Sequence, residues 1–195
     1  MGEIGEKAQC LLIATGQLTQ YGGYPDDGFY RKGRSKQYEV LSAGKYSGTT
    51  SITVATKTDL ISNNCVYDRR TKLMWSRYPS DGLGPAGDGK MPWTTDGSGH
   101  GIFAFVAAAN AAKLAGYSDW RIPNETELAN LRDMEQPDAA PDAVAFPGWP
   151  TSDWFWSSTT FPSSVDSAMI VHFYSGYVGA DSKVNGHFVA LVRGG

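Results

Sequence analysis

Three groups of residues in this chain have types and spacings that could do chemistry. The first is Gly84-Pro85-Ala86-Gly87-Asp88-Gly89-Lys90, which fits G-x-x-x-x-G-K. Such a loop wraps a phosphate with backbone N–H groups, and needs a hydroxyl next for magnesium, a strand before it and a helix after it. Met91 and Pro92 follow instead, and Arg77-Tyr78-Pro79-Ser80 is a poor buried strand. The match is therefore read as chance. The second group could hold a metal: His100, His172 and His187, with Asp81 and Asp88 as oxygen donors. No two histidines stand at i, i+4 and the cysteines lie far off, so neither a zinc set nor a calcium loop is expected. The third group could supply a nucleophile or an acid–base pair. Trp156-Ser157-Ser158-Thr159-Thr160 has hydroxyls without a G-x-S-x-G frame, and reads as hydrogen bonding within an irregular strand. Asp119, between Tyr117 and Trp120, reads as a turn residue, and Glu127 is needed as a helix cap. No catalytic constellation, metal or cofactor is expected.

Charge narrows the partners. With 17 Lys and Arg against 20 Asp and Glu, the net charge is −3, and no basic stripe is available to neutralise nucleic-acid phosphates. The densest basic cluster, Arg31, Lys32, Arg34 and Lys36, reads as a solvated loop. No apolar run approaches the ~18 residues of a membrane span. The apolar patch from Cys10 to Ala14 follows two glutamates, and is too short and wrongly charged for a secretory leader. Localisation stays open; any place at a surface would come through a virion or other larger assembly. Cys10 and Cys65 could pair, though two buried thiols are the better reading.

The elements that must position any site follow from turn formers and periodicity. The 23 glycines in 195 residues exceed the usual ~7% and point to many turns. Residues 1–64 read as a strand-and-turn elaboration packed on the main domain, with Leu11–Ile13, Tyr38–Leu41 and Ile52–Val54 as short apolar or strand segments and a turn-rich Tyr21–Gly28. Cys65–Trp75 reads as a hairpin with a polar turn at Asp68–Lys72. After a Gly, Pro and Asp loop, Ile102, Phe105, Val106, Ala109 and Ala112 form a helical stripe over 101–115, with Gly116 past its end. Asn124 and Glu127 form a capping box for a second helix that must end before Pro137.

The last forty residues, about 154–195, read as short strands. In Met169–Tyr174, alternation puts Met169, Val171 and Phe173 on a core face and Ile170, His172 and Tyr174 on the other. Ser175-Gly176 is a hairpin-type turn, Tyr177–Ala180 returns, and His187–Arg193 is expected as the final strand. Either the second face displays a recognition surface, or other parts of the chain cover it. Alternation alone leaves both open.

Several stretches together resemble a known family. They are Leu73-Met74-Trp75, the alanine-rich 107–112, Gly116-Tyr117-Ser118-Asp119-Trp120-Arg121-Ile122-Pro123-Asn124, Ala145-Phe146-Pro147, Trp156–Thr160 and the closing Val192-Arg193-Gly194-Gly195. In that order and spacing, over residues 65–195, the chain resembles the Lcl C-terminal domain family of bacterial collagen-like adhesins. That family is similar to the C-type-lectin-like fold of formylglycine-generating enzymes. The resemblance implies an α+β fold: two helices packed on small twisted antiparallel sheets. It also implies a binding module, with sulfated polysaccharides among the ligands of family adhesins.

Within that family, this chain is most similar to variable proteins of diversity-generating retroelements, often viral. Such proteins keep a fixed framework and vary the codons of outward positions in a C-terminal region closed by a motif like Val-Arg-Gly-Gly. Residues 11–17, 26–28 and 47–54 also resemble phage-type members. The framework this implies is Trp156, Ser157, Ser158, Ala168, Val171, Phe173, Gly176, Val178, Val189, Val192 and Arg193. The implied variable, ligand-facing positions are Ile170, His172, Tyr174, Tyr177, Gly179, Ala180, Asp181, Ser182, Asn185, Gly186, His187 and Ala190. The partner would be a protein or polysaccharide on a cell surface. A polysaccharide-binding adhesin module without diversification is the rival. The calcium motifs of true C-type lectins and the core cysteine pair of the formylglycine-generating enzymes are missing, so neither calcium-dependent sugar binding nor enzyme activity is expected.

Overall fold

The computed structural model describes residues 38–41, 50–54, 57–61, 65–77, 79–80, 88–93, 101–136 and 138–194. The expectations on Leu11–Ile13, Tyr21–Gly28, the basic cluster 31–36, residues 81–87, Cys10 and His100 lie outside these residues. The chain is α+β: strands β1 (Tyr38–Leu41), β2 (Thr50–Val54), β3 (Lys57–Ile61), β4 (Cys65–Asp68), β5 (Leu73–Ser76) and β6 (Met91–Pro92) precede helices α1 (Ile102–Ala111) and α2 (Glu125–Ala129). Strands β7 (Trp154–Thr160), β8 (Ser167–His172), β9 (Val178–Ser182), β10 (Gly186–His187) and β11 (Val192–Arg193) complete it. They form a four-stranded sheet in the order β1-β4-β5-β11, a three-stranded sheet β7-β8-β9, and the pairs β2-β3 and β6-β10. Every pairing between them is antiparallel. Because β1 pairs with β4 in full register, chain before residue 65 is built into the main sheet.

The hairpin expected at 65–75 is β4–β5, but its turn is not simply polar. Asp68 and Arg70 form a buried two-pronged ion pair, at 2.9 and 2.6 Å, with both side chains 2% exposed. Lys72 takes a left-handed φ of 63° to bring the chain back.

Helix α1 buries Ile102, Phe105 and Ala109, part of the expected stripe. It is shorter than expected, however. The break comes at Lys113, with φ 52°, and a 3-10 turn Leu114–Gly116 follows, so Gly116 (φ 86°) ends that turn and not the helix. Asn110 explains the early stop. Its side chain both accepts from Trp120 N–H (2.7 Å) and donates to Trp120 C=O (2.9 Å), so the chain must fold back over it. Helix α2 carries the full capping box: Asn124 accepts from Glu127 N–H at 2.8 Å, and Glu127 accepts from Asn124 N–H at 2.9 Å.

Two cores result, and the β7-β8-β9 sheet separates them. One side holds Trp156, Ala168 and Ile170 with Met91, Ile102, Phe105, Leu114 and Trp120. The other holds Phe155, Val171 and Phe173 with Leu128, Phe146, Trp149 and Phe188. Trp149 stacks on Phe155 at 4.8 Å and meets Phe173 edge-on at 5.3 Å.

The closing segment departs most from expectation. In place of one strand over 187–193, the chain takes a different partner at almost every step. β10 pairs with β6, Phe188 bridges Phe155, and β11 pairs with β5 at Trp75 and Met74. Between them, two buried serines act as strand surrogates. Ser80 Oγ accepts from Val189 N–H (2.8 Å) and donates to Gly89 C=O (2.6 Å), while Ser76 Oγ accepts from Leu191 N–H (3.0 Å). Each serine also donates its own N–H to the carbonyl of the residue it holds.

Candidate functional site

Among the described residues, those that suggested chemistry are occupied with architecture. Asp88 accepts from Lys90 N–H at 3.0 Å and the chain runs straight into β6, so no helix follows to hold a phosphate. Ser157 is buried and donates to Met169 C=O at 2.8 Å. Asp119 forms a two-pronged pair with Arg193, at 2.6 and 3.0 Å, whose guanidinium lies 3.6 Å from the Tyr117 ring centroid. The Arg193 hydrogen bond holds the Asp119 carboxyl below its ordinary pKa. Arg121 grips both oxygens of Glu127 at 2.7 Å and also reaches Gly194 C=O. Gly-Tyr-Ser-Asp-Trp-Arg and Val-Arg-Gly are thus the two halves of a clasp that closes the domain. Among the described residues, no three His, Cys, Asp or Glu side chains gather as metal ligands. Cys65 is a buried free thiol, and burial pushes its pKa up to about 12.

What the fold does present is an aromatic face at the β8–β9 turn. Cross-strand register sets Trp154 opposite His172, and their rings lie 4.7 Å apart. Tyr177 meets Trp154 edge-on at 5.9 Å, and His172 lies 6.3 Å from Tyr174. Tyr174 and Tyr177 are 61% and 63% exposed, unusual for side chains of that size.

The backbone beneath them is fastened. His172 N–H donates to Tyr177 C=O, Ala139 N–H to Tyr174 C=O, and Arg132 Nη1 to Gly176 C=O. Ser175 Oγ pairs with His172 Nδ1 at 2.9 Å. Gly176 has φ 70°, the left-handed region that favours glycine, and a Cβ there would lie 3.1 Å from Ala139 Cβ.

Beside this face lies a polar network. His187 Nε2 is 2.8 Å from Asp181 Oδ2, its Nδ1 is 3.5 Å from Asp153 Oδ1, and Asp153 pairs with Lys90. Asn185 donates to both Asp181 oxygens at 3.0 Å. Burial acts to raise the Asp181 pKa, but hydrogen bonds from Asn185 and His187 outweigh it and leave it below the ordinary range. Asp153 is likewise lowered: burial acts to raise it, but the bonds from Lys90 and Trp154 N–H and the nearby positive charge together outweigh it.

The twelve expected ligand-facing positions therefore divide. Three are corrected outright, being buried: Ile170 (4% exposed), His187 (6%) and Ala190 (0%). Alternation placed Ile170 on the correct side of β8, but that side is itself core there, packed with Trp156 and Met91. Ala190 is buried because 188–192 thread between the cores. His172, Tyr174, Tyr177, Ala180, Asp181, Ser182, Asn185 and Gly186 reach the surface in whole or part.

They do not share one face. Gly179 and Asp181 lie opposite Ile170 and Ala168, whereas Ala180 and Ser182 lie opposite Met169 and Ser167. Gly179 is packing more than display, since a Cβ there would sit 3.2 Å from Tyr177 Cε1 and 3.6 Å from Trp154 Cζ3. Of the expected framework, Ser158 is exposed, and its N–H donates to Pro123 C=O; Met169, expected on the core face of the strand, is half-buried. Trp154 and Met134 were missed. The register that brings Trp154 to His172 depends on the β7–β8 loop, which periodicity cannot fix, and Met134 comes from a segment some forty residues earlier.

An α+β scaffold that clasps its own terminus and holds one turn up to solvent is what this geometry defines. The chain belongs to the Lcl C-terminal domain family, whose family model matches residues 64–193. No curated protein matches the chain.

Proposed function

We propose that this domain is a non-enzymatic ligand-binding module of C-type-lectin-like fold whose contact surface is the aromatic face at the β8–β9 turn. The observation that carries the reading is Tyr174 and Tyr177 standing over 60% exposed on a turn whose carbonyls are tied to Arg132, Ala139 and His172. Family membership supports an adhesin-like binding role. Rigid aromatic side chains supply large contact area at low ordering cost, and weak single sites are amplified by multivalent display. We further propose that the chain is the variable protein of a diversity-generating retroelement. Its exchangeable positions would be His172, Tyr174, Tyr177, Ala180, Asp181, Ser182, Asn185 and Gly186, and its partner a protein or polysaccharide on a cell surface.

The test is the DNA around the gene. A reverse transcriptase with a near-copy of the segment coding for 154–195, differing at adenines, is the expected result. Its absence returns the chain to the second reading, a polysaccharide-binding adhesin module without diversification, which family membership alone supports.

A further inference from the structure

Building on the reading of the β8–β9 turn as the ligand face, we infer that its partner is a protein segment bearing arginine or lysine. Next to Trp154 and His172, the face draws on two stretches, 173–182 and the described residues 133–136 and 138–143 fastened to it. Ala139 N–H bonds Tyr174 C=O at 3.3 Å, and the sulfur of Met134, 43% exposed, would lie 3.3 Å from a Cβ at Gly176. A cavity of about 200 Å³ opens in the second stretch, lined by Gln136, Asp138, Ala140, Pro141 and Ala143. Small-molecule sites usually measure ~300–1,000 Å³, so this one has room for a single long side chain.

Charge selects which side chain. The two stretches carry Asp133, Glu135, Asp138, Asp142 and Asp181, while the bases that border them are engaged elsewhere: Arg132 on the carbonyls of Ala129 and Gly176, and Lys183 on Thr160 Oγ1 and Val165 C=O. Most of these carboxylates have duties. Asp142 accepts from the N–H groups of Val144 and Ala145, Asp133 from that of Glu135, and Asp181 from Asn185. Asp138, in the cavity wall, has no hydrogen-bond or ion-pair partner among the described residues. The residue after it, Ala139, is bonded through its N–H to Tyr174 C=O, and tyrosine ring faces attract guanidinium and ammonium groups. A sulfated polysaccharide needs cationic donors, and Arg132, the base next to this loop, points at the carbonyls of Ala129 and Gly176. The face therefore takes a basic side chain into the cavity while the tyrosines cover its neighbours.

Fluorescence anisotropy on the full chain tests this with three labelled probes: a peptide of alternating glycine and arginine, its glycine–glutamate counterpart, and a heparin oligosaccharide. The arginine peptide is expected to bind, and less tightly as salt rises. Asp138→Asn and Tyr174→Ala should each weaken it by about tenfold, the usual loss for one charge-assisted contact. Asp166→Asn, an exposed carboxylate at the other end of β8, should leave it unchanged. Melting temperatures report that each variant is folded.

No binding of the arginine peptide, or binding indifferent to Asp138→Asn, overturns the inference. If heparin binds instead and Tyr174→Ala removes that binding, the inference falls while the ligand-face reading stands. If Tyr174→Ala and Tyr177→Ala leave the binding of every probe unchanged, both fall.

Discussion

Ile170 and His172 stand two residues apart on one strand and one sheet face, yet one is core and the other surface. The difference lies in what covers them: Ile170 packs with Trp156 and Met91, whereas His172 reaches past that layer to Trp154 and Ser175. Ile170→Ala should therefore cost ~2–5 kcal/mol in chemical denaturation, and His172→Ala under ~1. Gly176→Ala should cost ~1–2 kcal/mol, since alanine must hold a left-handed φ against Ala139.

Glu127 sets a pH dependence. Burial acts to raise its pKa, but the bonds from Arg121 and Asn124 N–H outweigh it and bring the folded value below the ordinary one. A depressed carboxylate stabilises fully above its unfolded pKa, and that stabilisation is lost as pH falls through the folded value. Wild type should thus lose stability below about pH 4.5, near the ordinary range for a glutamate. Glu127→Gln should be less stable at pH 7 and show a shallower loss through that window.

At the scale of elements, the two serines that hold residues 189–191 replace a strand partner. Ser80→Ala would leave Val189 N–H and Gly89 C=O without that partner in a dry site. It should cost ~1–3 kcal/mol although only one oxygen is removed. This segment also shows where the sequence stops being legible. The β4–β5 hairpin and the capping box of α2 are local, so turn chemistry and spacing announce them. The partners of residues 186–193 are not local. Met91, Ser80, Phe155, Ser76 and Trp75 lie scattered across the chain, and a serine that completes a sheet looks like any other serine. Helix α1 fails the same way: its stripe continues past Ala111, but Asn110 is claimed by Trp120, ten residues on. The aromatic face was half visible, because alternation found His172 and Tyr174 and the turn gave Tyr177. Its floor, Gly179 and Trp154, and its neighbours from residues 132–136 and 138–143 come from long-range register.

For the whole molecule, the account is one of separation. Two cores on either side of the β7-β8-β9 sheet, the Arg193–Asp119 and Arg121–Glu127 clasp, and the serine-held terminal segment carry the fold. The side chains at the β8–β9 turn ride on them and contribute little to stability. Calorimetric melting of a single variant carrying His172→Ala, Tyr174→Ala, Tyr177→Ala and Asn185→Ala measures that separation. The account predicts one cooperative transition within about 5 °C of wild type, the shift expected of only one or two kcal/mol in a domain of this size. A transition that disappears, or falls as far as that of Ile170→Ala, would mean that the face is part of what holds the domain together.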